Sequence, residues 1–137
     1  MQNIGIVWNF FTLSRFGVFK SLDEVDSKIA EMNAKIAAEE KPDGVIIAGD
    51  IYDKSVPSAE AVALFDHFLT QLADLKLCTY AVSGNHDSAE RIAFGAELMK
   101  HGGVYFSPVY NGSIEKITRE DEYGRLNIFL LPFVKPS

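Results

Sequence analysis

The sequence predicts an α/β fold, a mainly parallel sheet flanked by helices and followed by a C-terminal hairpin. Three observations carry this. The runs "VIIAG" and "LCTYAVSG" are apolar without alternation and end at a glycine, as strands of a covered parallel sheet do. Segments of helical period separate such runs at the spacing of right-handed βαβ units. After Gly103 the pattern changes to "SIEKITRE" and "RLNIFLLPF" on either side of the turn "DEYG", the signature of a hairpin extending the sheet.

Taken in order, "NIGIVW" reads as a short buried strand, whereas "NFFTLSRFGVFK" has no period, so Asn9 to Lys20 is expected to be the least ordered stretch. Ser21 with Glu24 forms a capping-box pattern, and Val25, Ile29, Met32 and Ile36 recur at helical spacing, which predicts a helix over 22–40 ended by "KPDG". The strand "VIIAG" follows. Pro57 and Ser58 open a second helix whose inward stripe is Ala61, Leu64, Phe65, Phe68 and Leu72. After the strand "LCTYAVSG", Ser88 caps a third helix carrying Ile92, Phe94 and Leu98, terminated at Gly102 and Gly103. "VYFS" reads as a further strand. The chain ends at "FVKPS", just past an apolar strand and without a closing helix, which reads as a cut rather than a natural end.

The 137 residues and 47% apolar content suffice for one domain with a real core. A net charge of −6 is unhelpful for binding a polyanion, so contact with DNA needs local basic patches or a partner. The single cysteine, Cys78, excludes a disulfide framework and reads as a buried spectator thiol. Neither a signal peptide nor a membrane span is read, which points to a cytoplasmic protein.

The chemistry-bearing residues follow two of the predicted strands. Asp50 and Asp53 stand after "VIIAG", and Asn85, His86 and Asp87 after "LCTYAVSG". In open α/β sheets ligand groups gather at the carboxyl ends of strands, so both loops open on one edge if the strands are neighbours. An aspartate just past a glycine can approach a cation closely, and Asn85 offers a neutral oxygen to a hard cation. His86, next to Asp87, can be held by that carboxylate and donate a proton to a phosphate oxygen. A lone "GD" or "NH" is usually turn chemistry. The two together, in this order, favour a metal site.

"GDIYD" followed by "GNHD" resembles the second and third motifs of the calcineurin-like metallophosphoesterases, and the wording "IIAGDIYDKSVPSAEAV" and "SGNHDSAERIAFG" looks closest to the SbcD exonuclease subunits. The resemblance covers roughly residues 22–134 and implies the N-terminal portion of a metallophosphoesterase (nuclease) domain spanning 1–137, one half of its βαβ sandwich. It implies that Asp50 bridges two metals, usually manganese, that Asn85 binds one of them, and that His86 is the acid assisting phosphodiester cleavage. Asp53 and Asp87 would orient these groups, and Arg91 would face the phosphate or, the reading preferred here, brace the loop. It also implies DNA as substrate, an SMC-like ATPase partner (SbcC) in the complete protein, pairing with a second copy, and a role in DNA repair and recombination.

The family's first motif, aspartate-x-histidine after the first strand, has no match: "VWN", Val7 to Asn9, stands there. The later motif histidines are absent too, since the chain holds only His67, His86 and His101. The expected ligand set is reduced to Asp50 and Asn85. Three origins fit this pattern: a gene fragment or frameshifted product, a truncated N-terminal part, and a degenerate paralogue. The functional readings are an SbcD-like nuclease subunit, inactive as this chain alone, another phosphoesterase acting on nucleotides, phosphoproteins or lipid phosphates, and a non-catalytic remnant that binds a partner. His67 and His101 read as surface groups rather than ligands, "REDEY" as a solvated turn, and Phe10, Phe11 and Phe16 as aromatics without a stripe to join.

Overall fold

A computed structural model describes residues 4–7 and 22–136 of the chain, with side chains described for 30–136. Phe10, Phe11, Phe16 and the capping-box Ser21, like the stretch from Asn9 to Lys20, lie outside the described residues. Strand β1 (Ile4–Val7) is followed by helix α1 (Leu22–Glu40), β2 (Gly44–Ala48), α2 (Ala59–Asp74), β3 (Cys78–Val82), the short helices α3 (Ala89–Ile92) and α4 (Ala96–Met99), and β4 (Val104–Phe106). The four strands form one parallel sheet in the order β1-β2-β3-β4. Right-handed crossovers that always step in the same direction put their helices on one face.

The burial alternation agrees with that rule. Val45, Ile47, Thr79, Ala81, Val104 and Phe106 are all buried on one face, where the α2 stripe of Phe65, Phe68, Leu69 and Leu72 completes the core. The other face is only partly covered, with Ile46 and Val82 half-buried and Ala48 exposed, so the expected burial on both faces holds for one of them. Tyr80, on this second face, is covered and stacks on Tyr105 at 5.4 Å. Gly44, paired with Cys78, leaves room for the Tyr80 ring, which a Cβ there would approach to 3.1 Å.

Strands β5 (Glu115–Asp121) and β6 (Gly124–Leu130) form the expected hairpin, but as a separate two-stranded sheet rather than an extension of the first. Its turn is built by Asp121, whose Oδ1 accepts the amides of Tyr123 and Gly124. Lys100 fastens the hairpin to the end of α4 by bonding both Glu97, at 2.7 Å, and Glu115, at 2.6 Å. A cavity of about 180 Å³ lies between Tyr80 and the hairpin residues Arg119, Leu126 and Ile128.

Three expectations are corrected. Of the α1 residues whose side chains are described, Ala30, Ala34 and Ala37 are buried, while Met32 and Ile36 are exposed at 62% and 52%; the side chains of Glu24, Val25 and Ile29 lie outside the described residues. Alanines at helical spacing let α1 come close to α2, and larger side chains would hold the two axes apart. The third helix is broken, because Gly95 takes a left-handed conformation (φ 72°) between α3 and α4. Ile92 is therefore buried, whereas Phe94 and Leu98 are 82% and 76% exposed. Cys78 is half-buried rather than buried, and its Sγ accepts a hydrogen bond from Arg119 Nη2 at 2.8 Å. The two serine caps form as expected, with Ser58 Oγ accepting the Ala61 amide and Ser88 Oγ that of Arg91. No helix among the described residues is long and apolar enough to cross a membrane.

Candidate functional site

The parallel register pairs Ala48 with Val82, so the chains leaving β2 and β3 turn at the same level of the carboxyl edge. Two glycines make that close approach possible. Gly49 has φ 87°, and a Cβ on it would come within 3.0 Å of the Gly84 Cα. A Cβ on Gly84 would collide with the Asp50 amide nitrogen and carboxylate. Asp50 itself has φ 47°, a left-handed conformation that aspartate accepts more readily than most residues.

Across this gap the two loops are stitched together by carboxylates. Asp50 Oδ1 accepts the His86 amide at 3.1 Å. Asp87, 4% exposed, accepts three backbone amides: Ile51 (3.0 Å) and Gly84 (2.8 Å) on Oδ2, and Tyr52 (2.8 Å) on Oδ1. Both Asp87 oxygens are therefore committed to the backbone, and Asp53 is the carboxylate beside the His86 ring, with Oδ1 4.0 Å from Nδ1. Neighbouring residues in a tight turn point in different directions, and a buried carboxylate takes the nearest amides because each unmet charge or N–H inside is costly. The His86 and Asp53 side chains are about half exposed, at 45% and 52%. Asn85 is exposed on the same loop. Arg91 is exposed and its guanidinium makes no ion pair among the described residues, although its amide donates to Ser88.

Other residues hold this edge without any signal in their residue type. Ser107 Oγ accepts the Ser83 amide at 3.2 Å, and the Ser83 carbonyl accepts the Phe133 amide at 2.9 Å, binding the segment after β6 to the end of β3. Tyr52 packs edge-on against Phe65 at 5.8 Å. Its phenol is pushed up to about 12, first by burial and then by the charges of Asp87 and Asp66, and so stays protonated over the ordinary pH range. Tyrosine in "GDIYD" carries an apolar ring that hints at packing, but a serine that works through its backbone carries no such hint.

Among the described residues the donor set at this edge falls short of what a pair of divalent cations requires. One Asp50 oxygen is engaged by the His86 amide, which leaves the other with the Asn85 side-chain oxygen. Asp87 is spent on backbone amides. The register places Val7 beside Ile47 at the end of β1, and valine has no ligand atom. Among the described residues no group of three or more His, Cys, Asp or Glu is disposed to hold a metal ion. These residues do not make a binuclear cage.

Parallel strands whose carboxyl ends deliver "GDIYD" and "GNHD" to one edge match the model of the calcineurin-like phosphoesterases over residues 19–134, and the chain belongs to that family of hydrolases. Membership implies use of a divalent metal. The SbcD subunit of the nuclease SbcCD from Staphylococcus epidermidis (strain ATCC 12228 / FDA PCI 1200) is 35% identical over 99 residues, which cover 72% of this chain and 25% of that protein. The chain thus spans about a quarter of that relative's length.

The Gly84 contact makes a direct prediction. Gly84→Ala is expected to destabilise the fold by about 3 kcal/mol, the upper end for overpacking, because the obstacle is backbone and cannot rotate away. Gly102→Ala, where a Cβ meets nothing within 4 Å, should stay within about 0.5 kcal/mol of the parent. Urea denaturation of both variants checks the contrast, and equal midpoints would show that the two loops do not meet as described.

Proposed function

We propose that residues 1–137 are the N-terminal portion of a nuclease-type phosphoesterase domain whose complete form cleaves phosphodiester bonds in DNA during repair and recombination. In that form it works with manganese and an SMC-like ATPase (SbcC-type) subunit in the cytoplasm, and pairs with a second copy of itself. The observation that carries this reading is the hydrogen bond from the His86 amide to Asp50 across 36 residues of sequence, which brings both motif loops to one edge with Asn85 between them. The 35% identity to a nuclease subunit favours DNA over other phosphate esters.

In this reading Asp50 and Asn85 are the metal ligands, and the half-exposed His86 imidazole is the acid that protonates the departing oxygen. Asp53, with its Oδ1 4.0 Å from Nδ1, orients the ring. Asp87 fixes the loop through its three amide bonds. A pair of cations would activate water and stabilise the charge that develops on the phosphoryl oxygens. Two ligands fall short of that, so this chain alone is assigned no turnover.

The test is hydrolysis of linear duplex DNA in manganese. The chain should be indistinguishable from His86→Ala, even at high protein concentration. Val7→Asp with Asn9→His should raise manganese affinity in calorimetry while leaving hydrolysis crippled. Manganese-dependent cleavage by the unmodified chain that His86→Ala abolishes would overturn the ligand count and show that other groups complete the site.

A further inference from the structure

A phosphodiester backbone is a polyanion, and this chain carries a net charge of −6, so affinity has to come from cations placed locally at the reacting edge. Several of the described basic side chains are already engaged. Lys35 lies near Glu39, Lys100 bonds Glu97 and Glu115, Arg125 lies near Glu120, and Arg119 bonds Cys78. Lys41 and Lys76 stand before β2 and β3, at the amino edge. At the carboxyl edge Lys54 follows Asp53, and Arg91 lies in α3 just after the Asn85–Asp87 loop. Both are exposed.

The third basic residue reaches that edge by a route its sequence position does not suggest. Leu130 and Pro132 are buried, and the Phe133 amide donates to the carbonyl of Ser83, the residue before Gly84. Lys135 is two residues further on, so its Cα is within about 7 Å of that of Phe133. Its positive charge is felt by Glu90 in α3. The Glu90 carboxyl is held below its ordinary range first by its own backbone amide and the Ser88 hydroxyl, and further by Lys135. Lys135 is exposed and its ammonium makes no ion pair within 4.0 Å among the described residues. The segment after β6 is thus a strap that carries a lysine to the rim of the site.

We propose that Lys135, together with Lys54 and Arg91, contacts the phosphate backbone of duplex DNA beside the Asp50–His86 edge, with the strap setting where that contact falls. This inference rests on the reading of DNA as substrate, and binding can be measured without turnover.

The experiment is fluorescence anisotropy of a labelled linear duplex against the full chain, titrated over a range of salt concentrations. Lys135→Gln should weaken binding at low salt and reduce the slope of log affinity against log salt by about 0.9, the value for one lost phosphate contact. Lys76→Gln, at the opposite edge, should leave both unchanged. Glu90→Gln separates the roles. If Lys135 merely braced α3, this variant would bind as poorly as Lys135→Gln, whereas a phosphate contact leaves it at parent affinity or tighter. Parent binding with Lys135→Gln equal to Lys76→Gln overturns the proposal and leaves the DNA reading standing. A parent chain with no salt-dependent binding at all overturns both.

Discussion

Asp87→Ala is expected to cost about 3–6 kcal/mol, because it leaves the backbone amides of Ile51, Tyr52 and Gly84 without their acceptor; a fully buried donor costs about 1–3 kcal/mol, and the Tyr52 and Gly84 bonds are only partly buried, which holds the total below three full penalties. Domains of this kind are stable by only about 5–15 kcal/mol in total, so the variant should sit near the edge of folding. The loss is more than local. The three bonds join residues 35 and 36 apart in sequence, and one near at hand, so their removal separates the loop after β2 from the loop after β3. Asp87→Asn keeps one acceptor oxygen, which can serve the Ile51 and Gly84 amides but turns an amino group toward Tyr52. It should lose roughly half as much. Urea denaturation measures both, and a change under about 1 kcal/mol in the alanine variant would show that water satisfies these amides and that Asp87 is not the stitch.

Phe68→Ala should cost about 3–5 kcal/mol, the range for truncating a fully buried aromatic. Phe68 is 0% exposed at the centre of the α2 face, beneath the strands. The surrounding residues come from both the helix and the sheet, so the cavity left behind has little freedom to collapse. Phe94→Ala serves as the contrast: the same change at an 82% exposed residue should stay within about 0.5 kcal/mol. Denaturation midpoints that fall together in the two variants would place the core elsewhere than under α2.

The two motif glycines show how a sequence signal and a tertiary contact divide the explanation. "GD" and "GNHD" mark turns after strands whatever the fold, because glycine permits conformations that other residues resist. That Gly49 and Gly84 face one another is decided by the pairing of β2 with β3, which no local pattern encodes. The same holds for the carboxylates. Asp53 and Asp87 were both legible as candidates to orient His86. Which of them lies beside the imidazole and which turns to the backbone depended on where the Ile51 and Tyr52 amides came to rest.

By itself the sequence determined the kind and order of the elements over most of the described chain, apart from the break at Gly95, and the two serine caps. Of the expected α2 stripe Phe65, Phe68 and Leu72 are buried, Ala61 and Leu64 are half-buried, and Leu69 joins the core beside them. The elements, the stripe and the caps are properties of periodicity and short-range hydrogen bonding, which act within a few residues. It also determined the two motifs, and through them the family. Only the tertiary structure decided that α1 buries its alanines rather than Met32 and Ile36, that the hairpin forms its own sheet, and that the strap after β6 ends on Ser83. The reason is physical: which face of a helix is buried, and which carbonyl an amide finds, depends on partners tens of residues away, and the local pattern is compatible with several of them.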